Sequence, residues 1–502
     1  MRSFYDRVHD VLTNKKDMKR KIFPRDFEPY YPIGIQPCPM YVDVANRIYD
    51  RTKDMELDLP DDDCLKREIA INAAIYYEDK MSGIGLWNAF VARHQRTYHR
   101  SLPFFGDYSK LYKDDVNLQE VQLLVWIVIS RNFADRFLNP VAMGFLAADS
   151  IMAALSEDDE VEVNDALYDF VYNKANTSDY FRLKPVLFWL RRSYLMHHPL
   201  SEDEFENLEK DSRKLFNRKE SYYNAETLFS MSVEIGPMAA PAHSWLADMF
   251  FENGMRKEAE KLMRLSYCRQ DVFEVLSYNH EYAMLLSTKG ESYKVIPPSL
   301  HLFEKSKYVV TGLVKYGNRD WETNGFMIET DKEAYEKEKE RQKTLDNSYV
   351  HAYPIYMERT KGKRLAFFEN ILQLEDWLQT VAPELNPNIV TRKLPAGSQV
   401  AFVSKKAGIV FAPNVVHAIK CKDNPYYKKC DARQMQSEVM NAVINVWAMH
   451  PELLNYLLDN NMIQDGDISA MSPSKDGKKL FTQNIDFIAR NHRRHFYHDH
   501  DY

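Results

Sequence analysis

A pair of amphipathic helices separated by two glycines constrains the fold of this chain more than any other feature. Gly83 and Gly85 interrupt the stretch 76–105, and a glycine inside a helix costs about 1 kcal/mol. After the break, apolar residues recur at helical spacing until Pro103 ends the pattern. The stretch therefore predicts one helix, a glycine corner and a second helix packed against the first.

The length and composition predict a soluble, multidomain and mainly helical protein. A chain of 502 residues is too long for one ordinary core and predicts roughly two to four domains. Hydrophobic residues make up 45%, charged residues make up 28%, and the low number of 16 glycines favours helix. The net charge of −7 creates no overall field that would attract nucleic acid or an anionic membrane.

The cysteines and the apolar segments predict a cytoplasmic location. The cysteine count of five is odd, and the residues are scattered along the chain, which is typical of a reduced cytosolic protein. The basic N-terminus is not followed by the apolar run of an export signal. No stretch of the sequence is long and apolar enough to predict a membrane span, so we expect no membrane partner.

Changes in composition divide the chain into four predicted regions. Closely spaced prolines between residues 24 and 39 forbid a regular helix near the start. Residues 242–264 partly resemble a tetratricopeptide unit, although no clean repeat extends from them. The regions are an extended arm at 1–40, an all-helical domain at 41–200, a helical-hairpin, partly tetratricopeptide-like region at 201–295, and an α+β domain with a basic C-terminal helix at 296–502.

The second half predicts a mostly antiparallel sheet. Residues 308–316 and 321–328 are rich in β-branched and aromatic residues and flank a turn, which predicts a hairpin. The mixed charges of 331–343 predict an exposed helix with ion pairs along it. Further strand-like segments lie at 350–357, 365–368, 400–403 and 408–411. The predicted fold class is therefore α+β multidomain, with an all-α N-terminal half.

The residues around the glycine corner carry a family resemblance. The sequence Tyr-Tyr-Glu-Asp-Lys-Met-Ser-Gly-Ile-Gly-Leu-Trp-Asn-Ala-Phe at 76–90, Leu-Pro-Phe-Phe at 102–105, and residues 117–126 resemble an uncharacterised family, a domain of unknown function of anaerobic gut bacteria. The resemblance covers about residues 40–300, mainly the N-terminal half. It implies a bacterial cytosolic protein and brings no activity, substrate or catalytic residue.

Three groups of residues are candidates for a binding site, and each also has a structural explanation. Adjacent carboxylates can do acid–base work or bind a cation, but they point about 100° apart on a helix, and a polar helix end also explains them. A turn that places a tryptophan beside polar residues and a glycine is typical of a binding site, but a hairpin tip held by a core tryptophan also explains it. Arginines beside aromatic residues can bind phosphate and stack a base, or form an ordinary surface. The candidates are Glu78, Asp79 and Trp87; Trp321, Glu322 and Asn324; and Arg490, Arg493 and Arg494.

The sequence predicts neither a metal site nor a cofactor. The histidines within 492–500 match no closed zinc motif, and Cys421 and Cys430 are too far apart for a zinc knuckle. The sequence motifs of serine hydrolases, P-loop proteins, zinc peptidases and dinucleotide-binding proteins are missing. The missing motifs make an enzyme less expected without excluding one.

These observations favour a non-enzymatic cytosolic binding or scaffold protein that engages a protein partner. The helix pairs and the aromatic residues of the arm support this hypothesis. One alternative is a nucleic-acid or ribonucleoprotein binder that uses the C-terminal basic and aromatic segment. Another is a metal-dependent hydrolase built on Glu78, Asp79 and a distant histidine such as His94 or His243. The oligomeric state is left open.

Overall fold

The computed structural model consists of two compact units with mixed helices and strands, which confirms the α+β fold class. One unit contains the described residues up to Asn132 and from Pro140 to Glu338, and the other contains those from Phe133 to Asn139 and from Lys339 to Tyr502. None of the described helices has the length and apolar character needed to cross a membrane. The structure describes residues 22–55, 62–105, 115–133, 137–157, 161–173, 180–214, 216–279, 281–296, 306–317, 319–349, 352–463, 475–499 and 502.

The first unit begins with the described part of the arm, followed by a series of helices. Residues 22–38 form short turns and irregular backbone that bury Phe27, Tyr30 and Tyr31; the arm residues 1–21 lie outside the described residues. Two short antiparallel strands of two residues each, β1 (Glu234–Ile235) and β2 (Ala240–Pro241), lie between helices of this series. The helices are α1 (Pro39–Thr52), α2 (Asp62–Met81), α3 (Leu86–Tyr98), α4 (Leu118–Asn132), α5 (Pro140–Leu155), α6 (Asp165–Tyr172), α7 (Tyr180–Leu190), α8 (Pro199–Ser212), α9 (Arg218–Ser232), α10 (Ala242–Glu252) and α11 (Arg256–Met263).

The predicted glycine corner joins α2 to α3. Gly83 has a φ of +64° and Gly85 a φ of +79°, left-handed values that glycine adopts without strain. A Cβ atom at position 85 would also lie 2.9 Å from Nδ2 of Asn253. The sharp turn and the close packing both require glycine here, and the predicted arrangement of helix, corner and helix is confirmed.

Strands replace the last part of the predicted helical-hairpin region. Helices α10 and α11 form a hairpin, but the helical part of the predicted region 201–295 ends at Met263. The assignment of residues 266–295 to helices is therefore wrong. In β4, buried and partly buried residues alternate, which is the period of a strand. The prediction of helices in this region overlooks that period. The chain forms β3 (Ser266–Tyr278), β4 (Ala283–Ser287) and β5 (Ser292–Ile296) instead.

Strands β3 to β7 close into a five-stranded barrel. The predicted hairpin supplies β6 (Tyr308–Lys315) and β7 (Trp321–Thr330), and the strand order is β3-β4-β5-β7-β6, with β6 paired back to β3. Strands β5 and β7 are the one parallel pair among the described strands. This topology is that of the OB-fold, a small Greek-key barrel. The predicted domain boundary between residues 295 and 296 falls inside the barrel and is not a boundary in the structure.

Inward-facing side chains fill the barrel. Phe273, Leu285 and Val295 are fully buried in its core. The ring of Trp321 packs against this core, with its centroid 5.2 Å from that of Tyr293. The tryptophan therefore anchors the start of β7.

The second unit is built on a three-stranded antiparallel sheet in the order β10-β9-β8, and all three strands match predicted segments. The prediction of residues 352–357 as part of a strand is wrong, because they are helical. The helix tolerates Pro354, which lies in its first turn, where a missing N–H costs no hydrogen bond. The strands are β8 (Leu365–Phe368), β9 (Gln399–Ser404) and β10 (Gly408–Pro413). The remaining helices are α12 (Lys332–Tyr349), which continues from the first unit, α13 (Ala352–Arg359), α14 (Ile371–Val381), α15 (Pro387–Thr391), α16 (Ala432–Val443), α17 (Pro451–Asp459), α18 (Lys475–Gln483) and α19 (Ile485–Arg493).

The barrel predicts a steric coupling between Gly312 and Asn324. A Cβ atom at position 312 would lie 2.1 Å from Nδ2 of the buried Asn324 side chain. We expect Gly312→Ala to lower the free energy of unfolding by about 1–3 kcal/mol through overpacking. In an Asn324→Ala background the same substitution should cost much less, as measured by urea denaturation. An equal cost in both backgrounds would contradict the coupling.

Candidate functional site

The carboxylate of Asp79 caps helix α3. It accepts hydrogen bonds from the backbone N–H groups of Leu86, at 2.9 Å, and Trp87, at 2.7 Å. The hydroxyl of Tyr194 donates a third hydrogen bond at 2.8 Å. The first N–H groups of a helix lack partners within the helix, and the positive end of its dipole favours a carboxylate. Asp79 therefore has the structural role that a polar helix end implies.

The adjacent Glu78 fastens the arm to helix α2. Its Oε1 accepts hydrogen bonds from Nδ2 of Asn164 at 2.7 Å and from the backbone N–H of Cys38 at 3.3 Å, and the hydroxyl of Tyr31 donates to Oε2. The side chain is fully buried, and burial raises the pKa of Glu78 to about 7. This carboxyl therefore titrates near neutral pH while it holds the arm in place.

The cavity beside this carboxylate pair is too small for a substrate. It lies beneath Tyr30 and Tyr31, next to Asp79, and has room for about one water molecule. Trp87 is fully buried, with its ring centroid 5.0 Å from that of Tyr76. Trp87 thus belongs to the core and is not available to a ligand.

The two histidines considered with this pair do not contact it. The carboxylates of Glu78 and Asp79 are hydrogen-bonded to other residues, as described above. Nδ1 of His94 lies 2.7 Å from the backbone oxygen of Arg100, and burial lowers the pKa values of both His94 and His243 to about 4. Within the described part of the chain, no group of three or more His, Cys, Asp or Glu side chains is placed to hold a metal ion.

The candidate residues of strand β7 have separate roles. Trp321 lies against the barrel core, and Oε1 of Glu322 pairs with Nη1 of Arg319 at 3.1 Å. Asn324 is fully buried, and its backbone oxygen accepts a hydrogen bond from Nζ of Lys184 at 2.5 Å. Its side-chain amide has no hydrogen-bond partner among the described residues. These three residues do not converge on a common site.

Lys184 is a buried lysine that was not among the predicted site residues. Its Nζ donates a hydrogen bond to the hydroxyl of Tyr223 at 2.9 Å and lies 4.1 Å from the centroid of that ring. Three further rings, those of Tyr180, Phe181 and Phe188, have centroids between 5.4 and 5.8 Å from Nζ. Burial lowers the pKa of Lys184 to about 7. The available sequence signal was the spacing of Lys184, one helical turn from both Tyr180 and Phe188 on an apolar face.

The C-terminal arginines do not form an exposed basic patch, so that expectation is wrong. Arg493 and Arg494 are fully buried. The guanidinium of Arg490 pairs with Asp486 at 2.9 Å and with Asp499 at 2.7 Å, and Arg493 donates to backbone oxygens, among them that of Ala442 at 3.3 Å. The arginines at the end of helix α19 point inward, where carboxylates and carbonyl groups accept most of their hydrogen bonds, although Nε of Arg493 has no partner among the described residues. In this conformation the three side chains cannot contact a phosphate backbone.

The outward face of β4 and β5, which we call the barrel face, is a candidate that the sequence analysis missed. Met284 pairs with Lys294, and Leu286 pairs with Ser292, on the side opposite the core residues. Ile296, 40% exposed, continues the face at the end of β5. Asp320, just before β7, lies beside this face, 2.7 Å from Nζ of Lys294. In OB-folds, the corresponding face and segments bind oligonucleotides and oligosaccharides.

The structure therefore defines an α+β protein in which a helical body carries an OB-type barrel. A family model described as "Protein of unknown function (DUF3843)" matches residues 21–262 and 318–494, and the chain belongs to this family. The match confirms the resemblance and extends it from the N-terminal half into the second unit. It leaves out residues 263–317, which contain β3 to β6. No curated protein and no solved structure matches the chain.

The buried carboxyl of Glu78 predicts a pH-dependent stability. Because its pKa is raised to about 7 in the folded state, its contribution is fully present below about pH 4.5 and is lost as the pH rises through 7. We expect the isosteric Glu78→Gln variant to lack this loss and to gain up to about 3 kcal/mol relative to the wild type between pH 4.5 and 8. Urea denaturation across this range measures the difference. Parallel curves for the two proteins would contradict the assignment.

Lys184 predicts the opposite trend at higher pH. Because its pKa is lowered to about 7 in the folded state, the unfolded chain binds the extra proton, and stability rises from pH 7 towards 10. The Lys184→Met variant should lose this rise, by up to about 1.4 kcal/mol per pH unit. The exposed Lys257→Met variant serves as the control and should keep the wild-type slope in chemical denaturation. An unchanged slope in Lys184→Met would show that the lysine stays charged.

Proposed function

We propose that this chain is a cytosolic binding protein whose barrel face recognises an extended segment of a protein partner. The observation that supports the proposal most directly is the outward face of β4 and β5, with half-buried Met284 and Leu286 and exposed Ile296, on a barrel of OB topology. The corresponding face of OB-folds is a binding surface, with oligonucleotides and oligosaccharides as its usual ligands. The helical body would then act as the scaffold that carries the barrel.

Apolar side chains around the barrel face favour a polypeptide ligand. Met284, Leu286 and Ile296 provide apolar contact area on β4 and β5. At the end of β3, Leu276 is 51% exposed and Tyr278 is 47% exposed. Clusters of exposed apolar and aromatic residues are typical of protein-binding surfaces.

The charges beside the barrel face disfavour a polyanion. Nζ of Lys294 pairs with Asp320 at 2.7 Å, and Arg319 is paired with Glu322. Exposed Glu291 adds negative charge at the turn before β5. Single-stranded nucleic acids are bound along positively charged grooves. A segment with apolar and basic side chains therefore fits this surface better than a nucleic-acid strand does.

The backbone of β5 supports an extended conformation of the bound segment. Strand β5 pairs with β7 only at Val295 and Ile296. Residues 292–294 consequently pair with β4 alone among the described strands. An extended peptide can add to such an edge through main-chain hydrogen bonds, while its side chains contact the neighbouring face.

The cysteines support the proposed cytosolic location. None of the five takes part in a disulfide, which suits a reducing compartment. The family resemblance suggests a bacterial source. The α10–α11 hairpin is the part of the chain that resembles a tetratricopeptide unit, and it supports a scaffold role for the helical body.

Capture from an extract of the source organism tests the proposal. The full chain and its Ile296→Asp variant serve as baits, and each extract is divided into nuclease-treated and untreated halves. We expect the wild type to retain a protein after nuclease treatment. The purified partner should then bind Ile296→Asp roughly tenfold more weakly than the wild type, because a charge replaces an apolar contact on the barrel face.

A matched control separates this effect from a general loss of apolar surface. Leu372, 73% exposed, lies on α14 in the second unit, and Leu372→Asp should bind the partner as the wild type does. Circular dichroism should show the same folded state for all three proteins. Retention of the partner by Ile296→Asp with unchanged affinity would refute the role of the barrel face. Loss of every partner after nuclease treatment would refute a protein ligand.

A further inference from the structure

Positive charge collects at one end of the sheet in the second unit. The residues concerned precede β8 or form the turn between β9 and β10. Because β8 and β9 are antiparallel, with Leu365 opposite Phe402, the two segments meet at the same end of the sheet. The backbone N–H of Val403 donates to the backbone oxygen of Arg364 at 2.8 Å, which confirms the contact. The cluster consists of Lys361, Lys363, Arg364, Lys405 and Lys406, and its four lysines are exposed.

Arg364, a member of this cluster, lies between aromatic rings. Its guanidinium carbon is 4.4 Å from the ring centroid of Phe402 and 5.0 Å from that of Tyr456. The rings of Tyr353 and Tyr502 lie further out, at 5.8 and 5.7 Å. Stacking of this kind restricts the guanidinium and keeps water away from its faces.

The guanidinium of Arg364 is only partly satisfied by the protein. Its Nε donates to the backbone oxygen of Val403 at 3.1 Å. Its Nη2 is buried and has no hydrogen-bond partner among the described residues, and none of the described carboxylates pairs with it. A buried charged donor without an acceptor loses its hydration without compensation, so such groups are rare in folded proteins. The side chain as a whole is half-buried, so its edge remains open to solvent.

We propose that Arg364 and the four surrounding lysines bind the phosphate groups of a nucleotide or of a single nucleic-acid strand. A planar guanidinium matches the geometry of phosphate, and the part of the Arg364 side chain that is open to solvent can donate N–H···O bonds to it. The exposed lysines would neutralise the remaining charge. The half-buried rings of Tyr353 and Tyr456 offer surface for a base.

The acidic groups near this cluster already have protein partners. Asp423 pairs with Nζ of Lys363 at 3.0 Å, and Asp459 accepts a hydrogen bond from the hydroxyl of Tyr502 at 2.5 Å. The buried carboxylate of Glu452 accepts a hydrogen bond from the hydroxyl of Ser404, beside the turn. None of these contacts occupies the guanidinium of Arg364. The proposed phosphate site lies in the second unit, and its existence does not depend on the barrel face.

Direct binding measurements on the full chain test the proposal. The probes are inorganic pyrophosphate, adenosine triphosphate and a fluorescein-labelled single-stranded oligonucleotide, measured by calorimetry or fluorescence anisotropy at low and moderate salt. We expect binding of at least one probe that weakens as salt rises. Arg364→Met, which keeps the stacked stem, should reduce that affinity roughly tenfold.

Two further variants show whether the effect is specific to this cluster. Lys361→Gln combined with Lys405→Gln changes only exposed residues, and it should weaken binding roughly threefold or more and flatten the salt dependence. Lys210→Gln combined with Lys257→Gln removes the same charge from exposed helix positions in the first unit and should leave binding unchanged.

The three probes also identify the source of the phosphate. Binding of pyrophosphate indicates that the phosphate groups suffice, binding of adenosine triphosphate alone indicates a nucleotide, and binding of the oligonucleotide alone indicates a strand. The proposal is overturned if the wild type binds none of the probes at low salt. It is equally overturned if Arg364→Met and the double variant of the cluster bind as tightly as the wild type.

Discussion

The fold of the first unit depends on one buried carboxylate, that of Asp79, at the N-terminus of helix α3. Two backbone N–H groups and the hydroxyl of Tyr194 converge on it. Each of these donors would cost about 1–3 kcal/mol if it were left buried without an acceptor. The contact therefore fixes α3 relative to both α2 and the segment after α7. The left-handed backbone at Gly85 completes the arrangement, because it allows the chain to turn within a few residues of the carboxylate.

Buried charges join neighbouring elements throughout this unit. Arg131 of α4 pairs with Glu68 of α2, and Nζ of Lys80 lies 3.2 Å from Oε2 of Glu120. The side chains of these residues are almost completely buried. Removing one partner of such a pair is strongly destabilising, because it leaves an uncompensated charge in the interior. Charged residues in this chain are therefore weak evidence for a catalytic or binding site. The hydrogen bonds that Glu78 and Asp79 make to neighbouring elements explain this acidic pair.

Local patterns in the sequence predict most of the elements but not the contacts between distant segments. The glycine corner, the 308–328 hairpin and strands β8 to β10 follow from periodicity and turn residues, which act over short distances. The barrel could not be predicted in this way because its closure depends on pairing between β3 and β6. The surroundings of Lys184 combine α7, α9 and β7. Arginine side chains are usually exposed, so the burial of Arg493 and Arg494 could not be predicted from the sequence.

Closure of the barrel also has a consequence for the order in which the chain assembles. The pairing of Ser266 with Lys315 joins residues that are far apart in the chain, whereas the helices before β3 form from contacts within a few turns. Long-range pairing carries a larger entropic cost and slows folding. During synthesis, α1 to α11 emerge before β6 exists. Lys184 of α7 and Tyr223 of α9 therefore emerge before β7, the strand whose Asn324 backbone oxygen accepts a hydrogen bond from the lysine, so this contact can form only when the barrel is nearly complete.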